Sequence, residues 1–241
     1  MKESFRLKET FLWITADEKR YVEIAKEAIK QRRKELERFV RWHPYFLVTL
    51  ERYQIDEAEV GDGREKDEIP EIVRRMIAAA SKFGIGPMSA VAGTLAEFAV
   101  EATRDAGATY AMVDNGGDIA LINDREVLVG IYAGESTFSN KIALRIKPSS
   151  SLIGICTSSG TVGHSISFGT ADAATVISAS ASLSDAAATA LCNVITDDHS
   201  VSKAFRSISR VEGIEGALVI YKDVLATWGK VPEIVKTREV R

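Results

Sequence analysis

Residues 156–193 constrain the fold and function of this 241-residue chain more than any other segment does. The segment is rich in glycine, serine, threonine and alanine, is short of large apolar side chains, and contains both cysteines, Cys156 and Cys192. A segment that formed only a hydrophobic core would use more leucine, isoleucine and phenylalanine. Glycine-rich turns expose backbone N–H groups, and hydroxyl side chains add adaptable hydrogen bonds. The composition therefore predicts a surface that binds a bulky polar ligand.

The overall composition argues against several partners and settings. The formal net charge of −3 gives no electrostatic reason to expect nucleic acid or an anionic membrane as a partner. No apolar run approaches the roughly 20 residues that a membrane span requires, and the first residues lack the apolar core of a signal peptide. Two cysteines do not make a disulfide framework. We therefore expect a cytoplasmic protein.

The apolar spacing of residues 1–70 predicts a strand, a helix, a second strand and a loop. Alternation over residues 4–16 predicts one strand with four apolar side chains on one side, namely Phe5, Leu7, Phe11 and Trp13. Helical spacing over residues 21–42 ends before a proline, because the residue that precedes a proline disfavours the helical region. The sequence YFLVTLERY then predicts a strand, and the charged residues 61–70 predict a surface loop.

The remainder of the chain contains more strands than helices. Helices are predicted at about residues 71–82 and 88–105, and strands at ATYAMV, REVLVGIYAG, KIALRIKP, SLIGICT, GALVIYKD and VLATWGKV. Few strand–helix–strand units occur, which favours an α+β fold with a mixed, mostly antiparallel sheet packed against helices. We expect a single domain over residues 1–241.

A glycine turn leads into a helix of small residues in GIGPMSAVAG, residues 84–93. Gly86 permits unusual backbone angles, while Ser89 and Gly93 keep the helix thin. A helix N-terminus behind such a turn can bind a phosphate or a diphosphate. The same residues can instead serve only to make the turn and to let the helix pack closely on a sheet. Both interpretations stay open.

The sequence DNGGD follows a predicted strand and contains Gly116, Gly117 and Asp118. Asn-Gly and Gly-Gly mark tight turns, so the sequence can be the loop of a hairpin. Its carboxylates and its amide can also contact a ligand, because glycine lets other groups approach the backbone closely.

The sequence SDAAATALCN predicts a helix with polar groups along one stripe. Ser184 is a candidate N-cap, which would place Asp185 in the first turn. Asp185, Thr189 and Cys192 are spaced i, i+4 and i+7, so their side chains share one face. An oxygen pair of this kind suits Mg²⁺, which takes its other ligands from water or phosphates. Alternatively, Asp185 helps to cap the helix and Cys192 is a small buried hydrophobe.

Taken in order, these three sequences resemble the ApbE superfamily of FAD-using flavin transferases. They resemble more closely a smaller ApbE-related family of archaea and anaerobic bacteria. The family's small-residue helix, strand and Gly-Gly-Asp match GPMSAVAGTLAEFAVEATRDAGATYAMVDNGGDI, and its Gly-His turn matches TSSGTVGHS. Its helix with Asp-Ala-x-x-Thr-Ala-Leu matches DAAATAL, which is the most specific piece.

The resemblance implies an ApbE-like, T-fold-like domain with a divergent N-terminal region over residues 1–60. It implies that Asp185 and Thr189 hold Mg²⁺ against the diphosphate of FAD, and that His164 is a ligand or a catalytic group. The positions expected to contact the diphosphate ligand are Gly86, Ser89, Gly93, Gly116, Gly117, Asp118, Ser159, Gly160 and Thr161.

Two departures from the transferase pattern leave the enzyme class open, with a transferase favoured. His164 is followed by SISFGTADAA where the transferases continue into Asp-Pro and Thr-Gly, and Ala92 stands where the family has a lysine. A binding domain that kept the fold without the chemistry is therefore a further possibility.

Cysteine-based sulfur transfer is an alternative on the same scaffold. Cys156 ends a predicted strand beside a turn that we expect to be accessible, and a thiol near a helix N-terminus or a cation is activated as thiolate. The resemblance to the smaller family also implies a link to sulfur amino-acid formation. In this alternative Cys156 would carry a persulfide and a sulfur-transfer protein would be the partner. The oligomeric state stays open.

Overall fold

The computed structural model describes residues 1–55, 69–162 and 167–237. Most of the predicted surface loop at residues 61–70 lies outside these ranges, and so does His164. The loop and the role of His164 therefore stay predictions. No helix within the described ranges combines the length and the apolarity needed to cross a membrane.

The described ranges contain six α-helices and eleven strands. The helices are α1 (Lys19–Trp42), α2 (Pro44–Val48), α3 (Glu71–Ser81), α4 (Val91–Asp105), α5 (Ala181–Asn193) and α6 (Asp198–Ala204). The strands are β1 (Lys2–Leu7), β2 (Thr10–Ala16), β3 (Ala111–Asn115), β4 (Asp118–Asn123), β5 (Val127–Gly130), β6 (Ile142–Ile146), β7 (Ser149–Ser158), β8 (Ala173–Ser178), β9 (Ile214–Tyr221), β10 (Val224–Gly229) and β11 (Glu233–Lys236). A 3-10 turn (Pro87–Ala90) leads directly into α4.

Eight strands form one sheet in the order β1-β2-β3-β4-β7-β8-β9-β10, and three form a second sheet in the order β11-β6-β5. Every strand pair in the described ranges is antiparallel. Helices α1, α4 and α5 cover one face of the large sheet, and the small sheet packs against part of the other face. The predicted α+β single domain with a mostly antiparallel sheet is confirmed.

Small residues bring α4 and α5 very close to each other and to the sheet. A Cβ atom at Gly93 of α4 would lie 2.4 Å from the Ala181 carbonyl oxygen of α5. A Cβ atom at Gly154 of β7 would lie 2.5 Å from the Ala181 Cα atom. Carbon atoms pack at about 3.5–4.0 Å, so only glycine fits at either crossing point.

Within residues 156–193, the described parts of β8 and α5 belong to the core, which corrects the prediction that this segment is an open ligand surface. All six residues of β8 and 11 of the 13 residues of α5 are buried. Large apolar side chains are scarce here because α5 lies so close to the sheet that alanine and serine fill the space. Strand β8 was not predicted because its β-branched run, residues 175–177, is only three residues long and is flanked by alanine and serine.

The first predicted strand is a hairpin of β1 and β2, with Lys8 in its turn at a φ of 54°. Leu12 and Ile14 face the core, whereas Phe11 and Trp13 face the solvent. The predicted apolar side is therefore wrong for β2, because the turn interrupts the alternation.

The second predicted strand, YFLVTLERY, is also wrong, since its first residues belong to α2. Pro44 occupies the start of this helix, where its fixed φ is favourable and no N–H group is needed. Phe46 is fully buried between Phe39 and Tyr53. Packing of this one ring overrides the strand propensity of the surrounding residues.

Candidate functional site

The candidate site lies where the β3–β4 hairpin and the end of β7 meet helices α4 and α5. The DNGGD sequence forms the turn of this hairpin, with Gly116 and Gly117 at φ values of 71° and 103°. The Gly117 N–H donates to Asp114 Oδ1 at 2.9 Å, and the Gly117 carbonyl accepts the Thr157 N–H at 3.1 Å. The hairpin interpretation of this sequence is confirmed, and the turn fixes Asp118 at the start of β4.

Helix α5 carries Asp185 in its second turn. Ser180 is the N-cap, because its Oγ accepts the Leu183 N–H at 3.2 Å. Ser184 lies inside the helix and donates its hydroxyl to the Gly154 carbonyl at 3.1 Å. The predicted cap at Ser184 is therefore wrong, since the helix begins one turn earlier.

The carboxylate of Asp185 caps the N-terminus of α4. Its Oδ2 accepts the Gly93 N–H at 2.8 Å, and the Ala92 N–H also donates to it. Helix α4 has no side-chain cap of its own, because Ala90 holds the N-cap position. Asp185 is only 7% exposed, and burial raises its pKa to about 7 in spite of the two N–H donors.

A second carboxylate, that of Asp118, lies close to Asp185. Asp118 pairs with Cys156 across β4 and β7, so the two side chains share the helix-covered face of the sheet. Burial raises the pKa of Asp118 well above its ordinary value, and the charges of Asp185 and Asp114 raise it further. The Cys156 thiol and the Thr157 N–H offset part of this effect. Two carboxylates in one enclosed space repel each other unless a proton or a cation compensates for their charge.

Thr189 lies one turn beyond Asp185 on α5 and is half-buried. In the described part of the chain, no group of three or more His, Cys, Asp or Glu side chains is arranged to hold a metal ion. A cation at Asp185 and Thr189 would therefore rely on few protein oxygens and on water or ligand oxygens, which Mg²⁺ accepts. Hard oxygen donors and two neighbouring carboxylates fit such a cation.

A reciprocal contact, which the sequence analysis missed, holds α5 against α4. Glu97 of α4 uses Oε2 to accept the Ser180 hydroxyl at 2.8 Å and the Ser182 N–H at 2.9 Å. Its Oε1 accepts from Arg75 Nη1 at 3.1 Å. Each helix thus caps the other, since Asp185 serves α4 and Glu97 serves α5. The available signal was weak: a single carboxylate in the middle of a helix of small and apolar residues.

Asn115, the amide of the DNGGD sequence, makes a structural contact that the sequence did not predict. It is the last residue of β3, and its Nδ2 donates to the Ala92 carbonyl at 3.1 Å. This bond joins the DNGGD hairpin to the first turn of α4. The sequence predicted that this amide could contact a ligand, whereas its nitrogen is used for a contact within the protein.

The N–H groups predicted to cradle a diphosphate at residues 84–93 are engaged within the protein. The Gly86 N–H donates to the Leu50 carbonyl at 2.9 Å, and the Gly93 N–H is bound by Asp185. The Ser89 hydroxyl donates to the Gly86 carbonyl at 2.7 Å. At these three residues, turn formation and close packing account for the sequence, and the predicted open cradle is corrected.

The predicted ligand residues Ser159, Gly160 and Thr161 form a turn held by its own hydrogen bonds. The Ser159 hydroxyl oxygen accepts the Thr161 N–H at 3.1 Å and the Val162 N–H at 2.9 Å. The Gly160 N–H donates to the Ala171 carbonyl at 2.9 Å. The turn follows β7 directly, so it adjoins the site, and its role toward a ligand stays a prediction.

Both cysteines are buried, which overturns the prediction that Cys156 is accessible. Cys156 is 0% exposed, and its Sγ lies 3.3 Å from the Ala181 carbonyl oxygen. Burial raises the pKa of the Cys156 thiol well above its ordinary value, as do the charges of Asp118 and Asp185. Burial also raises the pKa of Cys192. A persulfide carrier needs an accessible, easily ionised thiol, so this geometry does not support sulfur transfer.

The arrangement of sheet and helices is shared with ApbE proteins of known structure. The chain matches the apo form of the flavinyl transferase ApbE from Pseudomonas stutzeri with a TM-score of 0.55 and 11% identity, over 97% of this chain and 95% of that one. It matches the ApbE protein from Thermotoga maritima with a TM-score of 0.60 and 14% identity, over 94% and 96% of the two chains. These similarities define the class of protein as one with the ApbE fold.

Sequence comparison identifies the family. A family model described as AbpE bacteria matches residues 2–211. A UPF0280 protein from Methanosarcina acetivorans is 52% identical over 242 residues, which covers 100% of this chain and 91% of the relative. Another from Methanococcoides burtonii is 50% identical over 237 residues, which covers 98% and 95%. The chain therefore belongs to this ApbE-like family, and the resemblance found in the sequence is confirmed.

Proposed function

We propose that this protein binds FAD, or a closely similar diphosphate ligand, through Mg²⁺ held by Asp185 and Thr189. Transfer of a flavin nucleotide from the bound ligand is the favoured activity. The observation that carries the proposal is the pair of neighbouring carboxylates, Asp118 and Asp185. The half-buried hydroxyl of Thr189 lies one helical turn from Asp185. The fold adds support by analogy, because the neighbour from Pseudomonas stutzeri is a flavinyl transferase.

The charges of the site favour a divalent cation as the bridge to the ligand. When they ionise, Asp118 and Asp185 bring two neighbouring negative charges into a site where burial raises the pKa of both groups. A diphosphate adds further negative charge, so it would be repelled from this place in the absence of a cation. Bound Mg²⁺ would supply charge neutralisation and a fixed set of coordination positions for the diphosphate oxygens.

The surrounding residues are suited to hold the ligands in place. Asp185 is oriented by the Gly93 N–H at 2.8 Å, and Glu97 holds the start of α5 through Ser182 at 2.9 Å. Asn115 ties the hairpin to the same turn of α4. Ligands supported by such outer contacts bind metal more tightly, and loss of the supporting group typically costs about 10–100-fold in affinity.

Isothermal titration of the protein with FAD, with and without Mg²⁺, tests the binding part of the proposal. We expect the wild type to bind FAD in the presence of Mg²⁺, the Asp185→Ala variant to lose this binding, and the Thr189→Val variant to be weakened by about tenfold. Asp105→Asn is the matched control, because Asp105 is an exposed carboxylate at the far end of α4. Absence of binding by the wild type, or unchanged binding by Asp185→Ala, would overturn the proposal.

Release of AMP from FAD, measured by chromatography, tests the transfer part separately. Transfer of the FMN moiety to a hydroxyl acceptor breaks the diphosphate bond and leaves AMP. We expect AMP release from the wild type with Mg²⁺ and an acceptor that presents a threonine hydroxyl. Mg²⁺-dependent binding without AMP release would indicate a binding domain that has kept the fold and lacks the chemistry.

A further inference from the structure

The surface at the end of α1 and along α2 carries an apolar patch that the candidate site does not use. Its members are large apolar side chains that are each more than half exposed: Trp42, Tyr45, Leu47, Val48 and Leu50. Trp42 is 79% exposed and Val48 is 66% exposed. Single exposed apolar residues are ordinary, but a group this dense along the chain is typical of an interaction site. We refer to these five residues as the α1–α2 patch.

Basic side chains border the α1–α2 patch. A groove of about 380 Å³ runs along the last three turns of α1 and is lined by Gln31, Lys34, Glu35, Glu37, Arg38 and Arg41. Lys34, Arg38 and Trp42 follow one another at spacings of four residues, so they lie along one face of the helix. Two basic residues of the groove therefore share a helix face with Trp42, the most exposed member of the patch.

The acidic residues of the groove are neutralised by other partners. Glu35 pairs with Arg32 at 2.9 Å, and Glu37 pairs with Lys8 at 2.6 Å and with Arg33 at 3.0 Å. Within the described ranges, the three basic residues that line the groove form no ion pair of their own. The α1 side of the patch is thus positive, although the net charge of the whole chain is −3.

The charge of this border decides between possible occupants. A second copy of the chain in a two-fold dimer would bring two basic grooves into one interface, because such an interface uses the same surface of both copies, and these like charges would oppose association. An anionic lipid surface is complementary, since each basic residue near it contributes attraction. The patch also has the composition of a membrane-interface segment, because tryptophan and tyrosine rings prefer the headgroup level and aliphatic side chains insert below it.

We propose that the α1–α2 patch and the basic groove beside it bind the surface of an anionic lipid bilayer as a peripheral contact. Trp42, Tyr45 and Val48 enter the interface, while Arg38 and Arg41 contact the lipid phosphates. The net charge of the whole chain predicts no membrane partner, whereas this proposal depends on the local distribution of charge beside the patch. The proposal is independent of the cation and flavin proposed for the site around Asp185.

Vesicle flotation and tryptophan fluorescence test the proposal. The full chain is mixed, in the presence of a chelator, with phosphatidylcholine vesicles and with vesicles in which part of this lipid is replaced by phosphatidylglycerol. The chain has three tryptophans, so Trp13→Phe with Trp228→Phe leaves Trp42 as the reporter. We expect flotation with the anionic vesicles and a blue shift of Trp42 emission on binding.

Variants separate the apolar and the charged contributions. Trp42→Ser with Val48→Ser should abolish flotation, and Arg38→Gln with Arg41→Gln should weaken it by about fivefold for each charge removed, which corresponds to about 1 kcal/mol per residue. Leu128→Ser with Val224→Ser is the control, because these exposed apolar residues lie on β5 and β10, away from the patch. Far-ultraviolet circular dichroism confirms that each variant is folded.

Three results would overturn the proposal. The first is failure of the wild type to float with anionic vesicles. The second is equal binding to neutral vesicles, since the basic groove would then contribute nothing. The third is a dimer, seen by light scattering, that is lost in the Trp42→Ser and Val48→Ser variant, because the patch would then belong to a second copy of the chain.

Discussion

Replacement of Asp185 by asparagine should stabilise the cation-free protein at high pH, although Asp185 is the best candidate for a cation ligand. Burial raises the pKa of this group from its ordinary 3.8 to about 7 in the folded state. The folded state therefore keeps a proton that the unfolded state releases, and the free energy of unfolding falls as the pH rises from 3.8 to about 7. Each pKa unit corresponds to about 1.4 kcal/mol, which gives a loss of about 4 kcal/mol.

Asparagine retains the geometry of the site without the charge. Its Oδ1 can still accept the Gly93 N–H, which lies 2.8 Å from the carboxylate. The variant also relieves Asp118 of a repulsive neighbour. We expect the Asp185→Asn variant to be more stable than the wild type by up to about 4 kcal/mol at about pH 8, and to differ little from it at about pH 4.

Urea unfolding followed by circular dichroism at these two pH values, without divalent cations, measures the difference. Mg²⁺ at about 100 times its dissociation constant should then raise the stability of the wild type by about 2.7 kcal/mol and leave the variant unchanged. Asp105→Asn, at an exposed carboxylate, should show neither effect. A variant less stable than the wild type at about pH 8 would refute the reasoning, because the capping charge of Asp185 would then outweigh its cost of burial.

Three further predictions concern the packing of the two helices and the thiols. Gly93→Ala should lower the free energy of unfolding by about 1–3 kcal/mol, since the added methyl would lie 2.4 Å from the Ala181 oxygen. An unchanged midpoint of urea unfolding would contradict this, because it would show that α4 and α5 can move apart at no cost. Glu97→Gln should cost about 1–3 kcal/mol, because Arg75 loses one of its carboxylate partners and the Ser182 N–H loses a charged acceptor, and thermal unfolding that matches the wild type would contradict this. Both cysteines should react with iodoacetamide only on unfolding, because they are buried, and rapid adducts on the native protein would be inconsistent with that burial.

The parts of the fold that were predicted correctly are those with strong local patterns. The antiparallel sheet, the helix α3 and the DNGGD hairpin follow from apolar spacing and from turn chemistry, which act over a few residues. The errors lie where tertiary contacts decide. Packing of Phe46 against Phe39 and Tyr53 makes α2 a helix, and the close approach of α5 to β7 makes an alanine-rich segment part of the core.

The candidate site was only partly predictable for the same reason. Asp185 and Thr189 lie on one helix, so their spacing alone placed them on a common face. Asp118 and Glu97 approach α5 only once α4 and β4 have packed together, and no local pattern in the sequence indicates that approach. The burial of Cys156 was likewise not predictable, because its neighbour Gly154 admits α5 so closely that the thiol is covered.

The reciprocal caps of α4 and α5 give a physical reason why an anionic ligand would need a cation here. The N-terminus of a helix attracts anions through its free N–H groups and its dipole. At α4 those N–H groups, on Ala92 and Gly93, already bind the carboxylate of Asp185. A diphosphate would compete with a carboxylate that is covalently part of the protein and is fixed in place by packing at Gly93. A cation bound to the lone pairs of Asp185 that the helix cap leaves free would present positive charge to the ligand while the cap stays intact. We therefore expect that FAD alone does not displace Asp185, and that Mg²⁺ and FAD bind with positive coupling.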